Sequence, residues 1–84
     1  MTDIPHIDEI YPEYIPNGHW INRWGDEVWI KDGKYHRDNG PAIIFTDGRY
    51  YWMLHGKFFN FESWLESNNE ITDSQKVLLK LKYG

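Results

Sequence analysis

The side chains best suited to chemistry are four histidines, His6, His19, His36 and His55, and three serines, Ser63, Ser67 and Ser74. A metal site needs convergent Cys, His or carboxylate ligands, usually announced by paired spacing. No two of these histidines stand three or four residues apart, the chain has no Cys, and no H-E-x-x-H occurs. Nucleophilic catalysis has no better footing. No serine lies in a G-x-S-x-G elbow; Ser63 and Ser67 are four apart in a stretch of helical character, and Ser74 falls inside a capping box. The adjacent carboxylates Asp8-Glu9 and Asp26-Glu27 read as exposed pairs, while Asp32 and Asp47 are required by turns. There is no phosphate-binding loop and no dinucleotide fingerprint. These patterns point away from an enzyme, with no catalytic residue, bound metal or cofactor expected. His36 is placed instead to satisfy backbone groups of the turn that follows it, Arg37-Asp38-Asn39-Gly40.

The elements that would position these residues are marked by glycines. Gly18, Gly25, Gly33, Gly40, Gly48 and Gly56 fall at intervals of seven or eight residues with short apolar runs between them. Asp32-Gly33 and Asp47-Gly48 are hairpin signals, because a type I′ turn needs positive φ at both central residues. Strands are predicted near 19–24, 27–31, 42–46 and 49–54, with shorter extended pieces at 34–36 and 57–59. A two-residue loop at Asp47-Gly48 would pair Phe45 with Tyr50 and Ile43 with Trp52. Alternation then gathers Ile43, Phe45, Tyr50, Trp52 and Leu54 on a core face.

The chain also repeats itself. The offset that carries Gly25 onto Gly48 also carries Trp29, Gly33 and Lys34 onto Trp52, Gly56 and Lys57, and sets Tyr35 on Phe58. The matches fall on turn glycines and on a Trp in the same strand phase. The expected architecture is α+β: an antiparallel β-meander of repeated hairpins with two short C-terminal helices packed on it. Three regions make one domain, an extended acidic arm at 1–16, the hairpin meander at 17–59 and a helical lid at 60–84. Asn60 caps the first helix, and Thr72-Asp73-Ser74-Gln75 is a capping box for the second. Val77, Leu78 and Leu81 are expected to close the core with Trp64 and Leu65. The arm is expected to dock along a sheet edge, since Ile4, Ile7, Ile10, Tyr11, Tyr14 and Ile15 disfavour a free tail.

Composition limits the partners. The 84 residues carry a net charge of −4, and residues 1–16 hold Asp3, Asp8, Glu9 and Glu13 with no base. The remainder is neutral. An acidic arm on a neutral body does not suit counterion-release binding to DNA. Lys31, Lys34, Arg37 and Arg49 interleave with Tyr35, Tyr50, Tyr51 and Trp52 as a single-strand platform would, but nearby acids cancel the field. No basic leader precedes an apolar segment, and no run approaches the ~20 apolar residues of a membrane helix. The absence of Cys suits a reducing cytoplasm.

From Trp29 to Gly56 the sequence reads W-I-K-D-G-K-Y-H-R-D-N-G-P-A-I-I-F-T-D-G-R-Y-Y-W-M-L-H-G. It resembles a repeat of small proteins of large tailed bacteriophages, roughly W-x-x-x-G-x-x-H-R-x-D/N-G-P-A, and is similar to MORN-type β-hairpin repeats. The second copy departs from the pattern, with Phe59 where His is expected. The resemblance implies a phage-encoded hairpin module, whose MORN-type relatives act as binding scaffolds toward lipids or proteins, and it brings no catalytic residue.

Five Trp, six Tyr and four Phe exceed what so small a core would hide, and Trp, Tyr and Arg are enriched at interface hot spots. The expected function is therefore non-enzymatic binding of a host or phage protein in the host cytoplasm, inhibiting or redirecting it during infection. Trp24, Tyr35, His36, Arg37, Arg49 and Tyr51 are the expected partner-binding residues. A self-associating structural or assembly subunit and a single-stranded nucleic-acid-binding module are the alternatives; a membrane role is not expected.

Overall fold

In the computed structural model, which describes residues 3–84, the repeat of sequence is also a repeat of structure. The first copy contains β1 (Gly18–Ile21), β2 (Glu27–Lys31) and β3 (Lys34–Tyr35); the second contains β4 (Ile43–Ile44), β5 (Tyr50–Leu54) and β6 (Lys57–Phe59). Helices α1 (Phe61–Ser67) and α2 (Asp73–Tyr83) follow. All strand pairs within the sheet are antiparallel, in the order β1-β2-β4-β5-β6, with β3 also pairing β2. The fold is the α+β meander with two packed helices that the sequence predicts.

Two kinds of turn alternate. Asp32-Gly33 and His55-Gly56 are two-residue loops with both residues at positive φ, as a type I′ turn requires. The other two loops have three residues. In the first copy Asn22 N–H donates to Asp26 O (2.9 Å) and Gly25 N–H to Asn22 O (3.0 Å). At the equivalent places of the second, Phe45 N–H donates to Arg49 O (2.9 Å) and Gly48 N–H to Phe45 O (3.0 Å). Only the glycine of each is at positive φ. The expected pairing of Phe45 with Tyr50 is therefore off by one. Ile43 pairs with Tyr51 and Ile44 with Tyr50, because Asp47 keeps negative φ and Gly48 alone makes the bend.

That single step moves β4 to the other phase. Ile44, Tyr50, Trp52 and Leu54 share the face toward the helices, while Val28, Ile43 and Tyr51 share the opposite one. Apolar residues are buried on both faces. Trp52, Leu54, Trp64, Leu65 and Leu79 form the helix-side core, with Phe59, Phe61, Ile71 and Tyr83 packed around it. Val28, Ile30 and Ile43 are buried on the other face, as is Ile15 in the segment leading to β1.

Both helix starts are capped as predicted: Ser63 N–H donates to Asn60 Oδ1 (2.8 Å), and Thr72 and Gln75 exchange bonds in a capping box. The rotation of α2 differs from expectation. Leu79 enters the core and the Tyr83 ring meets Tyr50, Trp52 and Phe61, which turns Val77, Leu78 and Leu81 outward.

Upstream, Ile7 N–H donates to Ile21 O (2.8 Å) and Ile21 N–H to Pro5 O (2.9 Å), with His6 bridging Ile21 in parallel. This covers backbone groups at the end of β1 that an open edge would offer to another strand. A 3-10 turn at Pro12–Tyr14 follows.

Candidate functional site

The histidine-arginine stretch after β3 folds around Trp29. His19, directly across the ladder, stacks on the indole with ring centres 3.9 Å apart and 10° between planes. The Arg37 guanidinium carbon lies 3.8 Å from the indole centre. Two groups that close to one ring cannot share a face, so Trp29 lies between them. His19 Nε2–H donates to Glu27 Oε1 (3.0 Å). Arg37 Nε–H donates to Asn39 Oδ1 (2.9 Å) and Nη1–H to Pro41 O (3.2 Å).

Gly40 explains why Arg37 can lie so flat. A Cβ at Gly40 would stand 2.7 Å from the guanidinium carbon and 2.8 Å from Nη1. The guanidinium thus occupies the space a side chain would fill. Burial lowers the Arg37 pKa from its ordinary value, against the opposing fields of Tyr83 and Glu27. Beside this stack lies an open cleft of ≈ 600 Å³, lined among others by His19, Trp29, Arg37, Asn39, Glu70 and Gln75.

His36 is committed on both ring nitrogens. Nε2–H donates to Asp38 Oδ1 (2.7 Å), and Nδ1 accepts the His55 N–H (2.9 Å). Its side chain is buried, so it has nothing to present at the surface and no free nitrogen to act as a base toward Ser67 nearby. Asn68, fully buried at the end of α1, donates to Asp38 O (2.6 Å) and joins the helices to this loop. Among the described residues no group of three or more His, Cys, Asp or Glu side chains converges to hold a metal ion.

The sheet face away from the helices carries a row of aromatic rings open to solvent. Tyr51 meets Phe45 edge-on at 4.7 Å and Phe58 at 5.0 Å. Arg49 lies 5.1 Å over Phe45 and bonds Asp47 (2.8 Å). Phe58 is 62 % exposed. Trp24, 63 % exposed, is one turn away, where Gly25 abuts Thr46.

The six residues singled out from sequence therefore separate. Arg49 and Tyr51 stand together, with Trp24 on the adjoining turn. Arg37 is on the helix side, stacked on Trp29. Tyr35 is half-buried, its phenol raised above the ordinary pKa by burial and by the Glu13 carboxylate. Sequence reasoning misses Phe45 and Phe58. The register expected from sequence assigns Phe45 to the core, and Phe58 stands out only as the repeat partner of Tyr35. Comparison with protein-family models, curated proteins and solved structures gives no match.

Proposed function

We propose that this protein is a non-enzymatic binding module, of the tailed-phage kind its repeat resembles, that captures a host or phage protein in the host cytoplasm and modulates it. The observation that carries the reading is the solvent-open row Arg49–Phe45–Tyr51–Phe58. Aromatic rings held rigidly by edge contacts supply large contact area at little entropic cost, and Tyr and Arg are favoured anchors. The row is off the helix-side core, so it is available to a partner. No helix among the described residues is long and apolar enough to cross a membrane.

The test is affinity purification from phage-infected cells with the intact chain and with a Tyr51→Ala/Phe58→Ala chain. A protein retained by the first and lost by the second supports the reading. If both chains of equal thermal stability retain the same proteins, the row is not the binding surface.

A further inference from the structure

We propose that the outward face of α2 receives the acidic N-terminal arm of a second copy of this chain. Val77, Leu78 and Leu81 are 56, 64 and 79 % exposed. At about 100° per residue these three occupy one continuous arc of the helix, with Lys80 and Lys82 on its two sides. Three neighbouring large aliphatic side chains left open on one helix are an apolar patch, basic at its C-terminal end through Lys80 and Lys82. Asp73 stands at the start of the helix, and Glu62 and Glu66 of α1 line a pocket with Lys80.

The arm presents the complement. Tyr11 and Tyr14 are 55 and 70 % exposed and touch edge-on, with Ile10 exposed beside them. Their rim is acidic, from Asp8, Glu9 and Glu13, and the arm contains no base. Glu9 is partly committed, accepting the Ile10 and Tyr11 N–H groups, but Asp8 and Glu13 make no side-chain ion pair among the described residues. Both patches remain open within one molecule, so the pairing is between copies. Two α2 faces meeting in parallel would bring lysines together; an arm, which carries acids alone, meets Lys80 and Lys82 with opposite charge around apolar centres. The contact is small, in the range of weak, reversible association.

The test is sedimentation of the full chain over a range of concentrations in low and high salt, with four variants. All substitutions are at exposed positions, and each variant's fold is checked by circular dichroism. The native chain should self-associate, more weakly in high salt. Leu81→Glu should weaken association at least about tenfold, and so should Asp8→Lys/Glu13→Lys and Lys80→Glu/Lys82→Glu. The chain carrying all four charge substitutions should recover it. A native chain that stays monomeric overturns the proposal. So does association that Leu81→Glu abolishes but the arm variant leaves intact, which would mean helix–helix pairing. Tyr51 and Phe58 are untouched throughout, so loss of self-association and loss of partner capture are separate results.

Discussion

Trp29 and Trp52 hold the same place in the two copies of the repeat, in the equivalent strands β2 and β5, between the same kinds of turn, on the same face of the sheet. Their surroundings differ. Trp52 is buried among Phe61, Trp64 and Tyr83. Trp29 is half-buried between an imidazole and a guanidinium. The difference traces to two positions. The second copy answers His19 with Ala42, which is fully buried beside β4 and has no ring to stack on an indole. It answers Arg37 with Asn60, the cap that starts α1. Where the first copy closes its tryptophan with polar side chains, the second starts a helix. One hairpin plan thus supports either a dry core or a wet cleft, and two side chains decide which.

The comparison breaks most readily at the tryptophans themselves. Trp52→Ala should cost about 3–5 kcal/mol, as for other large buried aromatics. Trp29→Ala should cost about 1–2 kcal/mol, the scale of a part-exposed stack. Equal losses in denaturant melts would mean that the two sites are not energetically distinct.

Exchanging the repeat-equivalent residues His19 and Ala42 sharpens the point. Ala42→His should destabilise by at least about 2 kcal/mol, because Ala42 is fully buried and an imidazole there would overpack its surroundings. His19→Ala should cost about 1 kcal/mol or less, since it removes one part-exposed stack and one bond to Glu27. A mild Ala42→His would show that the second site can open as the first does.

Gly40→Ala tests how firmly Arg37 is held. It should cost about 1–2 kcal/mol by displacing the guanidinium, and much less when Arg37 is already Ala. An additive double-mutant cycle would separate the glycine from the stack.

The smallest effect is expected at a turn. The carboxyl of Asp47 is held below its ordinary pKa, first by the Arg49 backbone N–H and then by the Arg49 side chain. A depressed carboxylate stabilises the fold above its unfolded pKa, and that contribution disappears as pH falls through the folded value. Asp47→Asn should therefore lower the melting temperature slightly at neutral pH, where the contribution is present, and converge with the native chain in acid, which flattens the acid limb of the profile. Asp47 is fully exposed, so a large shift at neutral pH would contradict this.

Much of the fold is legible in the sequence because turns and caps are local. Asp32-Gly33 and Thr72 through Gln75 specify their geometry within a turn of chain, and the repeat aligns the rest. Asp47-Gly48 is ambiguous because Asp-Gly serves both a two-residue type I′ loop and the last two places of a three-residue loop. Both satisfy local sterics, and tertiary packing selects between them. The rotation of α2 misleads because Val77, Leu78 and Leu81 form its most apolar stripe. Leu79 and Tyr83 decide instead, through an aromatic cluster on β5 and α1 that no helical period reveals. Of the candidate site, Arg49 and Tyr51 are legible as exposed residues of a hairpin. The role of Arg37 is not, since it depends on a missing Cβ at Gly40 meeting a guanidinium that lies on the indole of the preceding hairpin.

The bond from the His55 amide to His36 governs how the molecule opens. It ties the tight turn of the second copy to the loop that ends the first, next to Gly56 N–H on Tyr35 O and Arg37 N–H on Met53 O. Turn amides on a protein surface usually exchange with solvent by small local fluctuations. The His55 amide can do so only when the two copies part. In deuterium exchange it should be as slow as the central strand amides, and both copies should unfold as one cooperative unit rather than unzip one repeat at a time as a solenoid does.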